Sequence, residues 1–277
     1  GDNTQNWEAR RKWLLSLLTE LWKKRGAFPG LPEVLTHIEF FEGIDYYMKQ
    51  VAKGHDKLAY ENIMYFLTKK ATEIPEFSIP ASRLKEINRN WQLKEDDEQT
   101  ILLDLFPRFG LTHNQIKNII SPNREKNNLY TSLKKINENP YILCEQYIGD
   151  DIDDNISFHT IDHGVIPSPD LGIENLFAKN AAERFRALCV NVLKRETVHS
   201  FVSQTKVLFY INNKLSYLPE WKQYQFTPKY FEIDSDFLEE AIKYRKNEGE
   251  NYFYLKEVFE DERLIEGVVK ELQQRAN

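Results

Sequence analysis

The sequence predicts a mainly α, multi-unit helical protein with a helix-hairpin-helix-like unit and a small winged-helix-like α+β unit. Three observations predict it. Apolar residues recur at three- and four-residue spacing in most segments long enough to show a period. Helix ends are marked by glycine, proline and a Thr-x-x-Gln signal. Aromatic-rich runs of strand character are confined to the carboxyl-terminal third.

The first helix is WEARRKWLLSLLTELWKKRG, with Leu14, Leu17, Leu18 and Leu21 at helical spacing. Lys23, Lys24 and Arg25 fill its last turn, and Gly26 stops it. FPGLP turns the chain, and Pro32 opens a short helix through Val34, Leu35 and Ile38. Further helix is expected from Tyr46 to Val51 and from Ala59 to Ala71, then a Pro/Ser-rich break at 73–82. A helix from about Asp96 to Leu105 leads into FPRFGLTHNQIKNII, and LYTSLKKINENPYILCEQY reads as helix, Asn-Pro turn, helix. IGDDIDDNISFHTIDHGVIPSPDLG shows no helical period and is expected to be a long loop or small β element. Beyond it, a helix carries Ala181, Phe185, Leu188, Cys189, Val192 and Leu193 on one face, and a second spans Ser203 to Asn212. LPEWKQYQFTPKYFEI and NYFYLKEV read as short strands, and Leu255 to Arg275 as a final helix. The units expected are therefore a helical one at 1–92, a helix-hairpin-helix-like one at 93–147, an irregular acidic linker at 148–178 and a winged-helix-like one at 179–277.

Composition narrows the function. Over 277 residues, 41% hydrophobic and 13% aromatic content supports real cores and excludes a disordered chain. The net charge of −6, from 37 Lys+Arg against 43 Asp+Glu, excludes a globally cationic nucleic-acid binder, so phosphate binding requires a local patch. No apolar run has the length of a membrane span and no signal peptide is visible, so a cytoplasmic location is expected. Cys144 and Cys189 lie in apolar stretches and are expected to be free thiols; without a CxxC, no cysteine-based zinc site is expected.

At FPRFGLTHNQIKNII, Gly110 permits a tight join and Thr112 with Gln115 fits a capping box. Ile116, Ile119 and Ile120 then face inward. The first amides of the new helix lack intrahelical acceptors and attract phosphate, while Arg108, His113 and Lys117 stand near enough to add charge or donors. The bland alternative is an ordinary helical corner. His159 and His163, with Asp162 between them, could on a helix share a metal, but Gly164 and Pro167 follow at once. GDDIDD lacks EF-hand spacing and reads as a solvated acidic loop. Arg10, Arg11 and Lys12 with Lys23, Lys24 and Arg25 read as a solvated basic face, as do Lys134 and Lys135. P-loop, GxGxxG and GxSxG motifs are absent.

FPRFGLTHNQIKNII followed by NPYILCEQY resembles the region ahead of the motor domains in RecD-like superfamily-1 DNA helicases. There a helix-hairpin-helix precedes a recurrent Asn-Pro-Tyr-x-Leu turn, here Asn139, Pro140, Tyr141 and Leu143. ISFHTIDHGVIPSPDLG is similar to a segment of one branch of RecD-like ATPases with a Thr-Ile-Asp-x-Gly core, here Thr160, Ile161, Asp162 and Gly164. RRKWLLSLLTELWKKRGAFPGLPEVL and NYFYLKEVFEDERLIEGVVKELQ resemble that branch's first helices and its lead into the first motor domain. The chain departs where those proteins carry a glycine-rich second hairpin: here stands acidic IGDDIDDN, which repels phosphate.

The resemblance implies an amino-terminal, pre-motor region of a longer ATP-dependent helicase. Such a region is DNA-associated but non-catalytic, needs no cofactor of its own, and positions or separates strands beside the motor domains. Its DNA affinity in isolation is expected to be weak, and another protein is a further possible partner. Arg108, Gly110, Thr112, His113 and Lys117 are the expected backbone contacts. Two alternatives stand beside this reading: a protein-interaction scaffold, consistent with the aromatic surplus and acidic charge, and a metal-dependent nuclease using His159, Asp162 and His163.

Overall fold

The computed structural model describes residues 2–69, 74, 77, 79–151, 154–196 and 199–276, with the backbone alone at 2–6, 8, 11–12 and 274–276. The chain is mainly helical with one small antiparallel sheet. It divides into two compact units, Gly1–Phe177 and Ala178–Asn277.

In the first unit, α1 (Asp2–Lys24) ends with two lysines in its last turn, and Gly26 takes the left-handed conformation at φ +78°. The following amide, of Ala27, donates to Asp56 Oδ2 at 2.7 Å. The leucine stripe that marks α1 in the sequence is not buried: Leu14, Leu17, Leu18 and Leu21 are 41–57% exposed. α2 (Leu31–His37) opens on Pro32 and buries Leu31, Val34 and Leu35 completely. α3 (Phe41–Val51) packs against α2 and α4 (Asp56–Lys69). Much of the break expected at 73–82 lies outside the described residues, as does the end of the helix expected to reach Ala71. α5 (Ala81–Gln92) begins after Pro80.

α6 (Asp96–Thr100) widens into a π-helical turn over Ile101–Leu105 and tightens into a 3-10 turn over Phe106–Arg108. The sequence reads a plain helix to Leu105. Ile101, Leu102, Leu103 and Leu105 are all buried, more than one face of an α-helix accommodates in five residues, and Pro107 lacks the donor to continue. α7 (His113–Ile120), α8 (Leu133–Glu138) and α9 (Ile142–Gln146) follow as expected. α10 (Phe158–Val165) corrects the irregular reading of this part of 148–178: Ser157 Oγ accepts the Thr160 amide at 3.1 Å, and Phe158, Ile161 and Val165 bury one face.

In the second unit, α11 (Ala182–Arg195), β1 (Phe201–Ser203) and α12 (Gln204–Ser216) are followed by two short helices, α13 (Lys229–Ile233) and α14 (Ser235–Leu238). β2 (Ile242–Asn247), β3 (Glu250–Leu255) and α15 (Lys256–Ala276) complete it. The sheet order is β1-β3-β2, with Val202 and Tyr244 both opposite Phe253. Glu248 and Gly249 turn the hairpin with φ of 49° and 87°, as a primed two-residue turn requires. LPEWKQYQFTPKYFEI is not strand. Pro219 and Pro228 interrupt any ladder, and Phe226, Phe231 and Tyr230 instead surround the buried Phe185 ring at 4.6, 5.0 and 5.6 Å. Cys189 is buried, Cys144 half-buried, and neither is in a disulfide.

Candidate nucleic-acid interface

The corner ahead of α7 is built by buried Phe109 and Leu111, with Gly110 between them. Thr112 is extended at φ −80°, ψ 159°. Its hydroxyl accepts the Gln115 amide at 3.2 Å, and its own amide donates to Gln115 Oε1 at 3.0 Å. This is the capping box read from the sequence, and it uses the donors at the cap and at the third helical position. Among the described residues no acceptor pairs with the amides of His113 and Asn114. Thr112 and Asn114 are exposed, and His113 is half-exposed. Ile116 and Ile119 are fully buried and Ile120 partly so, which holds the helix by its inner face.

The five expected contact residues are placed differently from one another. Arg108 donates to the carbonyl oxygens of Gly164 at 3.3 Å and Glu174 at 2.9 Å, and its burial lowers the guanidinium's pKa. Its donors serve the loop. Gly110 is instead covered by Arg25: a Cβ built there would lie 3.0 Å from a guanidinium nitrogen. Lys117 is exposed one turn into α7, without an ion pair among the described residues. His113 stands edge-on to His37 at 6.0 Å; the His37 pKa is lowered to about 4, by burial first and Lys94 second, so that ring is neutral at pH 7. Among the described residues a carboxylate also approaches α7. Asp154, at the end of the acidic loop, accepts from Gln115 Nε2 at 2.8 Å and from the Tyr147 hydroxyl at 3.1 Å.

Arg25 is the residue that sequence reasoning did not place here. Its guanidinium carbon lies 4.8 Å from the Trp22 ring centre, and Trp22 stacks on His163 at 4.3 Å and 23°. The signal was present only as the basic last turn of α1, 85 positions from Gly110 in the chain.

The Asn139–Leu143 turn and the Thr160–Gly164 segment meet in the core. Asn139 Oδ1 accepts the Tyr141 amide at 3.1 Å, fixing the Asn-Pro-Tyr turn. The Tyr141 hydroxyl donates to Asp162 Oδ1 at 2.8 Å, and both residues are fully buried. Gly164 lies beneath the Phe109 ring, and a Cβ there would come within 2.6 Å of the Arg108 carbonyl oxygen. Asp162 thus turns inward, while the His159 and His163 rings stand 6.5 Å apart. Among the described residues no group of three or more His, Cys, Asp or Glu is placed to hold a metal ion. No helix among them is long and apolar enough to cross a membrane.

Comparison with protein-family models, curated proteins and solved structures finds no match to this chain.

Proposed function

We propose that the chain is a non-catalytic, DNA-associated accessory region of a RecD-like helicase, positioning or separating strands beside motor domains of the same parent protein in the cytoplasm. The observation that carries this reading is the pair of unpartnered amides of His113 and Asn114 at an exposed helix start, with the Lys117 ammonium and the Arg25 guanidinium beside it. A backbone phosphate accepts from the two amides, and Lys117 and Arg25, the latter lying over Gly110, neutralise it. Arg108 keeps the supporting loop in place, its guanidinium engaged by the Gly164 and Glu174 carbonyl oxygens rather than turned to a phosphate.

Two features of the fold support the reading. A helical segment ending in a 3-10 turn, then Gly110, then α7 is compatible with a helix-hairpin-helix reading. The second unit runs helix, strand, helix, short helices, strand, strand with sheet order β1-β3-β2, an order compatible with a winged-helix reading. With few phosphates neutralised on an anionic chain, affinity is weak and the slope of log affinity against log salt is correspondingly small.

The test is a fluorescence-anisotropy titration of single-stranded and forked DNA at low salt, comparing the parent chain with Arg25→Glu/Lys117→Glu. A roughly tenfold or greater loss of affinity is expected, because two attractions become repulsions. Equal binding rejects the corner as the contact. The reading as a protein-interaction scaffold is favoured by one observation: Leu264, Ile265, Val268, Val269 and Leu272 of α15 are all exposed. It prevails if the parent chain binds no DNA at low salt.

A further inference from the structure

The loop after α7 holds an aromatic ring that the fold does not use. Tyr130 is 70% exposed, and among the described residues it has neither a ring partner nor a hydrogen bond from its hydroxyl. Its backbone is nevertheless fixed on both sides. Leu129 before it is fully buried, and its amide donates to the Arg124 carbonyl oxygen at 3.2 Å. Asn128 takes the left-handed conformation at φ 58°, with Nδ2 donating to the Gln146 carbonyl oxygen at 3.2 Å. Thr131 after it donates through its hydroxyl to Gln146 Oε1 at 2.9 Å and accepts at its carbonyl from Arg124 at 3.4 Å. A large apolar ring is thus held in water on an ordered frame, so ordering it against a ligand costs little further entropy.

The sequence on either side of it is cationic. Residues 112–138 contain five basic residues (Lys117, Arg124, Lys126, Lys134, Lys135) against two acidic ones (Glu125, Glu138), a local excess of three positive charges on a chain of net charge −6. The four lysines are exposed and have no ion pair among the described residues. Lys134 and Lys135 stand side by side on the six-residue helix α8, with Lys135 in its last turn. The 3-10 turn Arg124–Asn127 packs on α7, joining this stretch to the capped corner.

We infer that Tyr130 is a stacking platform for one unpaired nucleobase of a single strand whose phosphates run past Lys126, Lys134 and Lys135. The inference rests on the nucleic-acid reading and adds to it a preference for unpaired strand. A protruding ring among cations suits single strands because every base has a π-face and stacking is sequence-tolerant, whereas a duplex hides its base faces. An acidic protein partner would satisfy the lysines but leave the ring without a planar mate.

The test uses the full chain with a fluorescein-labelled oligothymidylate, an abasic strand of equal length and a blunt duplex, at low salt. The parent is expected to prefer the oligothymidylate over the abasic strand. Tyr130→Ala should weaken oligothymidylate binding by roughly 5- to 100-fold and abolish that preference, leaving abasic and duplex binding unchanged. Tyr130→Phe should keep both the affinity and the preference. Because the side chain is exposed, these variants should match the parent's circular dichroism and melting. If the parent binds and Arg25→Glu/Lys117→Glu weakens it while Tyr130→Ala does not, the inference is overturned and the corner stands. If the parent binds none of the three, both are overturned.

Discussion

Replacing Tyr141 by Phe tests whether the two motifs of the first unit act as one buried lock. The substitution removes a single oxygen and keeps a ring that is fully buried and lies 5.7 Å from Phe158 and 6.4 Å from Phe177. No sizeable cavity opens, so the cost is that of the hydrogen bond. That bond is 2.8 Å long and ends on Asp162, which is also fully buried. Leaving a buried polar atom short of a donor costs about 1–3 kcal/mol, and about 2 kcal/mol is expected here. For a unit of this size that corresponds to a melting temperature lower by about 4–8 °C. Urea denaturation followed by circular dichroism measures the free energy directly, with an unchanged slope showing that compactness is preserved. A double-mutant cycle with Asp162→Ala separates the pair from its surroundings; a coupling of about 1 kcal/mol or more is expected of contacting partners. A loss of less than about 0.5 kcal/mol for Tyr141→Phe, or strictly additive effects, would refute the lock.

Other expectations concern the corner and its frame. Gly164→Ala forces a methyl group into the Phe109 ring and to within 2.6 Å of the Arg108 carbonyl oxygen. It should cost about 1–3 kcal/mol in urea denaturation and lower DNA affinity by shifting the corner. Thr112→Ala removes the hydroxyl that accepts the Gln115 amide and should cost about 1 kcal/mol, readable as a lower melting temperature. Because the His37 pKa is depressed to about 4 in the folded chain, the unfolded chain binds the extra proton between about pH 6.5 and 4. Stability is therefore undiminished above about pH 6.5 and falls as the pH drops through that window, by at most about 3 kcal/mol; His37→Gln should flatten this part of the pH profile. If Lys117 contacts a phosphate, Lys117→Ala should reduce the slope of log affinity against log salt by about 0.7 for single strands.

What could be read from the sequence was local. The Thr112–Gln115 box, the Gly26 stop and the Pro32 start each depend on residues within one turn, and each forms as its chemistry demands. What escaped was set by distant partners. α10 is two turns long, and Gly164 with Pro167 hides its period, yet Gly164 is there because the Phe109 ring lies against it. The aromatic run before α13 looks like strand only until its rings are seen around Phe185. β2, with Lys243, Arg245 and Lys246, carries the charge of an edge strand and so lacks the apolar alternation of a half-buried one. The leucines of α1 do show a clean period, but periodicity reports a helix face and not whether anything covers it.

The same distinction explains why the candidate contact residues and the residues of the buried clamp divide as they do. Two free amides attract a phosphate usefully only if they are held in place beforehand, since ordering them on binding would consume much of a weak electrostatic gain. The corner is held by glycines on both sides. A Cβ at Gly30 would overlap the carbonyl oxygens of Phe106 and Phe109, and one at Gly164 would overlap the Phe109 ring. The Gly30 amide meanwhile donates to the Pro107 carbonyl oxygen at 2.9 Å. Arg108, the natural candidate for a phosphate contact when only neighbours in sequence are considered, closes the same clamp through Gly164 and Glu174. The clamp consumes the nearest cation, and the charge beside Gly110 comes instead from Arg25, held against Trp22 at the end of α1. Arg25→Ala and Arg108→Ala should accordingly separate: the first weakens DNA binding at unchanged stability, the second lowers stability first. Equal stability losses in urea denaturation would place Arg25 in the frame and leave Lys117 as the cation at the amides.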